Sequence, residues 1–356
     1  MKTKNHLFPF SVLCLAAFTS LALLSCGGKG KKSYEEIGES GKTVQTENMQ
    51  ENLKTLHTKG VLFGQMYTTL CGVGWEGDSL RSDIKCVCGD FTACTGYEVS
   101  DVRSGMDNSG MPLELLRSDI LATTRRGGLV LLRWIMPEAT DDTDRDDVIA
   151  SMADFLNSLE DGYGKKSPVV LILMPLGDEE WYVTLSAEEY RTLYSDVEKR
   201  LYDLGVVNIV MGCSFSDNET ARMPEYLPDD VAVIDFAVQQ ATSDENTAER
   251  WSHLTESLKT FAAYSDNTHV AVGVTMGDYF PKDSTYWSGQ VLPFVTSAPL
   301  CYALFRENSG TGGNILSACP YPGSPDVSDF MKLYNDKRTL FYHDLNGLYL
   351  KTEAKK

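Results

Sequence analysis

The chain has 356 residues, of which 42% are hydrophobic, 23% charged and 10% aromatic, proportions that exclude a disordered, collagen-like or coiled-coil protein. Acidic residues dominate, with 50 Asp+Glu against 32 Lys+Arg and a net charge of −18. Such a surface repels a phosphate backbone, so nucleic acid is not an expected partner. A neutral ligand held by aromatic side chains suits it better.

Residues 1–25 place Lys2 and Lys4 ahead of an apolar run from Leu7 to Leu24 that ends at Ser25, the pattern of a secretory signal. Leu23-Leu24-Ser25-Cys26 resembles a bacterial lipobox, which implies cleavage before Cys26 and acylation of that cysteine. A plain signal peptide or an uncleaved anchor is the alternative. No later segment reaches the ~18 apolar residues a spanning helix needs. The expectation is therefore a protein anchored by lipid to a membrane surface of the bacterial cell envelope. Residues 26–45 are polar, Gly- and Lys-rich, and read as a tether; residues 46–356 read as one domain.

Besides Cys14 and Cys26 the chain has Cys71, Cys86, Cys88, Cys94, Cys213, Cys301 and Cys319. The spacing of Cys86, Cys88 and Cys94 fits no common zinc pattern and no His is near in sequence, so neither a metal nor another cofactor is expected. An oxidising compartment would permit a disulfide, and an odd number leaves at least one thiol free or paired between chains.

Eight short apolar or β-branched runs follow in order: Gly60–Phe63, Phe91–Tyr97, Gly128–Trp134, Val169–Met174, Val206–Cys213, Val231–Phe236, His269–Thr275 and Pro299–Phe305. Each is too short for a stable helix and too apolar for a half-exposed strand, so each predicts a buried parallel strand. Helical patterns alternate with them over Pro112–Arg126, Asp146–Leu159, Ser186–Leu204, Glu245–Ala263 and Asp326–Tyr334. Ser186-Ala187-Glu188-Glu189 is a capping box. This alternation predicts a single-domain (β/α)8 TIM barrel of the α/β class. A doubly wound sheet would need a Gly-rich phosphate loop after the first strand, and Phe63-Gly64-Gln65-Met66 is not one.

Barrel chemistry sits where strands end. The fourth strand runs into Asp178, Glu179, Glu180, Trp181 and Tyr182, and the seventh into Asp278 and Tyr279. Carboxylates beside aromatic rings at a barrel mouth suit a sugar, since retaining glycosidases use two carboxyls about 5–5.5 Å apart.

At these positions the chain resembles glycoside hydrolase family 26, the family of retaining endo-β-mannanases. Val61-Leu62-Phe63-Gly64-Gln65 and Gly72-Val73-Gly74-Trp75 are similar to its first strand and loop. Ser82-Asp83-Ile84, Gly89 to Ala93 and Gly96-Tyr97-Glu98 resemble its second. Arg126-Gly127-Gly128 with Trp134 resembles its third, and Pro320 to Gly323, Asp329-Phe330 and Asp336 to Leu340 resemble its tail. The departures fall on the chemistry. Where the family's fourth strand ends Arg-Pro-x-His-Glu, this chain has Met174-Pro175-Leu176-Gly177-Asp178, putting Asp178 at the acid/base position. Where the seventh ends Thr-Glu-x-Gly, Thr275 takes the nucleophile position. Ile135 replaces the third-strand His, Ala237 and Gln239 the sixth-strand Asp and Tyr, and Phe305 the eighth-strand Trp, with Arg306 retained.

A neutral hydroxyl at position 275 cannot stabilise an oxocarbenium ion as a carboxylate does. The resemblance thus implies a protein that binds β-mannan or a related β-glycan with lost or much reduced hydrolysis. Trp75, Tyr97, Trp134, Trp181, Tyr182, Phe305 and Arg306 are the expected cleft residues, with core packing as the alternative for Trp134 and Phe305. Two competing readings are a working retaining hydrolase with relocated carboxylates (Asp178 or Glu179 with Asp278) and a structural envelope partner protein.

Overall fold

A computed structural model of the chain describes residues 36–78, 80–177, 180–239, 247–268, 270–277, 282 and 284–351. The leader and Cys26 lie outside them. Residues Ser33–Lys356 form one compact unit. Each of the eight apolar runs becomes a strand: β1 Val61–Met66, β2 Cys94–Val99, β3 Leu129–Trp134, β4 Val169–Leu173, β5 Ile209–Ser216, β6 Val233–Val238, β7 Ala271–Met276 and β8 Leu300–Phe305. All neighbours are parallel, and β8 returns to β1 with Leu62 opposite Tyr302 and Gln65 opposite Phe305, closing the barrel. A two-residue strand, Thr339–Leu340, pairs with the start of β1.

Helices fill the connections. α1 Val44–Leu56 starts inside the stretch read as tether, its Thr43 cap accepting from the Thr46 N–H at 3.2 Å. A short α2, Asp83–Cys88, and α3 Leu113–Arg126 follow. α4 spans Asp142–Ser158, four residues ahead of the expected start, because Asp141 caps the Asp144 N–H at 2.9 Å. α5 Ala187–Asp203 opens with the expected capping box and buries Tyr190, Tyr194, Val197 and Leu201 along one stripe. A short α6, Met223–Tyr226, precedes α7 Thr247–Thr268; then come α8 Leu292–Val295 and α9 Val327–Tyr334. None of the helices among the described residues is long and apolar enough to cross a membrane.

The barrel interior is filled, not hollow. A Cβ at Gly96 would fall 2.6 Å from Leu304 Cδ2 and 2.7 Å from Met66 Sδ, and one at Gly273 would fall 2.0 Å from the Tyr302 ring. Glycine at these two positions makes room for large side chains from neighbouring strands, the small-against-large packing a closed barrel requires. Outside, Tyr190 and Tyr194 of α5 reach back to the barrel backbone, their hydroxyls donating to the Met174 and Gly212 carbonyls at 2.9 and 3.0 Å. A buried tyrosine needs such a partner. The seven cysteines from Cys71 to Cys319 are free thiols.

Candidate functional site

The carboxyl ends of the strands surround a cleft of about 840 Å³. Two backbone outliers mark its rim, Tyr67 after β1 with φ 50° and Met174 after β4 with φ 46°. Left-handed backbone at a non-glycine residue costs of order 1–3 kcal/mol and must be held by its surroundings. Met174 is held on both sides: its N–H donates to the Trp134 carbonyl at 3.0 Å, and its own carbonyl accepts from Tyr190. One step on, Leu176 bridges to Phe215 of β5, which fixes the backbone leading to Gly177.

The centre of the site is Asp235, fully buried on the inner side of β6. Its Oδ1 accepts from Thr275 Oγ1 at 2.8 Å and from the Tyr302 hydroxyl at 2.9 Å. Its Oδ2 accepts from Ser214 Oγ at 2.7 Å and from Arg133 Nη1 at 3.1 Å. Four donors thus occupy the roughly four acceptor positions of an ionised carboxylate. Arg133 also pairs through Nε with Glu98 Oε2 at 3.4 Å. Burial opposes its charge, but Asp235 and Glu98 outweigh burial and raise its pKa above the ordinary arginine value. Burial, and secondarily Asp235, pushes the Tyr302 phenol well above its usual range, so Tyr302 stays a donor.

Thr275 lines the cleft, but its hydroxyl points its proton at a carboxylate that also accepts from Arg133, Ser214 and Tyr302. To accept that proton Asp235 would have to surrender its ion pair with buried Arg133. The arrangement orders the barrel mouth.

On the opposite rim Glu180 turns toward the backbone of Gly177, where a Cβ would lie 2.9 Å from its Oε2. Its carboxylate thus occupies the space into which a side chain at 177 would project. Neither Glu180 Oε2 nor the Tyr182 hydroxyl has a hydrogen-bond partner among the described residues, and both are buried. Burial, then the neighbouring Glu180, raises the Tyr182 pKa.

Of the residues expected at the site, Thr275 and Arg306 line the cleft. Arg306 is half-exposed and reaches the Gly277 carbonyl at 3.3 Å and Glu307 at 3.7 Å. Asp178, Glu179 and Asp278 lie outside the described residues. Tyr97, Trp134 and Phe305 each neighbour an inward-facing strand residue and therefore point outward, since alternate side chains leave opposite faces of a strand. The Tyr97 hydroxyl donates to buried Asp119 of α3 at 2.7 Å. The Trp134 indole donates to the Ser100 carbonyl at 3.1 Å. Phe305 stacks on Phe63 with ring centroids 5.1 Å apart and meets Trp287 edge-on. Trp75 gives its N–H to Asp83 at 2.8 Å, an aspartate that also accepts from Val73 N–H and Asn308 and ties the first loop to the eighth. Trp181 is partly buried and donates to the Met136 carbonyl at 2.8 Å; Tyr182 is buried beside it. These six aromatics pack the scaffold around the cleft instead of lining it. Among the described residues the ring that does line it is Tyr67, locked by reciprocal 3.0 Å hydrogen bonds with the Glu98 backbone.

Arg133, Asp235 and Tyr302 went unrecognised in the sequence, Glu98 was read only as part of the Gly96-Tyr97-Glu98 match, and Glu180 only as one of the acids after the fourth strand. Three of them carry a readable signal: a charged residue inside an apolar strand run, as in Cys94–Val99, Leu129–Trp134 and Val233–Val238, is almost never buried without a partner.

No protein-family model and no curated protein sequence matches the chain. Solved structures do. The family-26 β-mannanase BoMan26A of Bacteroides ovatus superposes with a TM-score of 0.80 at 26% identity, covering 88% of this chain and 100% of its own. GH26C from a Muricauda species gives a TM-score of 0.75 at 17% identity, with 88% and 95% covered. The modular endo-β-1,4-mannanase of Cellulomonas fimi gives 0.73 at 19% identity, with 88% and 79% covered. The solved structures similar to this (β/α)8 barrel thus include β-mannanases of glycoside hydrolase family 26, the family its sequence resembles.

Proposed function

We propose that this chain is a glycan-binding relative of the family-26 mannanases, held at the bacterial envelope by an acylated Cys26, with hydrolysis lost or much reduced. The observation that carries the loss is Thr275: a neutral hydroxyl at the nucleophile position, hydrogen-bonded to a buried carboxylate whose other acceptor sites are taken by Arg133, Ser214 and Tyr302. Retention of a cleft of about 840 Å³ supports the binding half of the reading. Arg306, Glu98, Glu180 and Glu307 line it and offer hydrogen-bonding groups to sugar hydroxyls. The names of the neighbours point to β-mannan as the first ligand to test.

One observation favours the competing hydrolase reading. Glu180 is a cleft-lining carboxylate with an unpartnered oxygen beside Gly177, so an acid remains near the expected acid/base position. Titration calorimetry with manno-oligosaccharides, followed by chromatography of the same sample, separates the readings. Heat with intact oligosaccharide supports a binding protein. Shortened oligosaccharide, abolished by Glu180→Gln, supports the hydrolase. Neither heat nor cleavage across a panel of β-glycans supports the structural partner.

A further inference from the structure

A second pocket, of about 400 Å³, opens on the opposite face of the barrel at the amino ends of the strands. Four cations line it: Arg125 and Arg126 from the last turn of α3, and Lys165 and Lys166 from the loop before β4. Asp161 is the one acid in its lining, and its Oδ1 accepts from the Tyr163 and Lys165 N–H groups at 2.9 and 3.0 Å. This local cationic excess is opposite in sign to the net charge of the chain, −18.

A helix end alone does not explain these charges. Cations in a last turn do offset the helix dipole, but two of the closing carbonyls of α3 are already satisfied, Thr124 by the Gly127 N–H at 2.9 Å and Thr123 by the Gly128 N–H at 3.0 Å. Lys165 and Lys166 belong to no helix. Arg125 and Lys165 are exposed, and neither makes an ion pair among the described residues. Thr124 and Ser167 add hydroxyls to the pocket, hydrogen-bonded to each other at 2.7 Å.

The chain's own course supplies the occupant. Gln45, in the first turn of α1, lines the same pocket, and the described chain ahead of it folds back on itself, Ile37 bridging to Thr43, with Glu36 as its first described residue. Fully extended at ~3.4 Å per residue, the ten residues from Cys26 to Glu36 span no more than about 34 Å. An acyl group on Cys26 would hold the pocket at high effective concentration next to lipid headgroups. We propose that this pocket binds the phosphate of an anionic lipid headgroup, docking the amino face of the barrel on the membrane and turning the glycan cleft away from it. The orientation rests on the anchoring reading above; phosphate binding by the pocket does not.

Because Ser33–Lys356 is a compact unit containing the whole barrel, the test uses that fragment, which lacks Cys26 and the lysines of the tether at 29, 31 and 32. It should float with phosphatidylcholine vesicles containing about one third phosphatidylglycerol, and not with phosphatidylcholine alone. Arg125→Ala with Lys165→Ala should weaken that partitioning about thirtyfold, from about fivefold per cation near an anionic surface, with unchanged circular dichroism. Failure to bind the anionic vesicles, or binding that the double variant leaves intact, would overturn the proposal. A rise in melting temperature with millimolar inorganic phosphate but no vesicle binding would also overturn it, marking a site for a soluble phosphate. Fatty-acid labelling at Cys26 is read separately, so failure of the anchor and failure of the pocket are distinguishable.

Discussion

Replacing Asp235 by Ala removes the group on which the interior of the barrel mouth converges. Arg133, buried and only 13% exposed at its side chain, loses its 3.1 Å partner and keeps Glu98 at 3.4 Å. Ser214, Thr275 and Tyr302 each lose the acceptor of a hydrogen bond of 2.9 Å or less. Breaking a buried ion pair from one side costs about 3–5 kcal/mol, because an uncompensated charge is left behind. The surviving Glu98 contact places Asp235→Ala near the lower end, about 3 kcal/mol, or a fall in melting temperature of about 6 °C at ~2 °C per kcal/mol in a domain of this size. Arg133→Met on the Asp235→Ala background removes the stranded charge and should restore part of that loss. Differential scanning calorimetry of the wild type, both single variants and the double variant reads the coupling directly. An Asp235→Ala melting temperature within about 1 °C of wild type, or strictly additive single losses, would refute the convergence on Asp235.

Thr275→Val keeps the shape and removes one donor to a charged acceptor, which should cost about 1.5–3 kcal/mol in urea denaturation while leaving glycan turnover where it stands in the wild type. His343 has its pKa raised chiefly by its hydrogen bond to Asp90, with Asp344 adding to it. The stability it contributes is therefore fully present below its unfolded value, about 6.5, and is lost as pH rises through the higher folded value. His343→Ala should lower the melting temperature at pH 5.5 and not at pH 9; the ring is 58% exposed, so the effect is small, and equal shifts at both pH values would contradict the linkage. Cys26→Ala should abolish fatty-acid labelling and release the protein from membranes, and unchanged labelling would rule out the anchor.

Backbone architecture was largely legible because burial on both faces leaves a direct trace. All eight apolar runs became barrel strands, and the capping box at Ser186 and the cap at Pro112 mark true helix starts. α1 was missed because its buried apolar residues, Met49, Leu53 and Leu56, are set singly among polar neighbours. At the site the difficulty was parity. Tyr97 and Glu98, Trp134 and Arg133, and Phe305 and Leu304 are adjacent pairs, and a shift of one residue exchanges inside for outside. Aromatic residues at strand ends suggested sugar platforms, whereas the inward positions belong to Glu98, Arg133 and Asp235. Long-range partners such as Asp119 for Tyr97 and Asp83 for Trp75 have no local signature at all.

Reducing-sugar release from β-mannan by the wild-type chain, beside Thr275→Ala and Asp278→Ala at the same pH, tests the loss of hydrolysis most directly. The expected result is no release above the no-enzyme background for any of the three. Turnover by the wild type that survives Thr275→Ala and disappears with Asp278→Ala would contradict it, and would show an active site relocated, not lost.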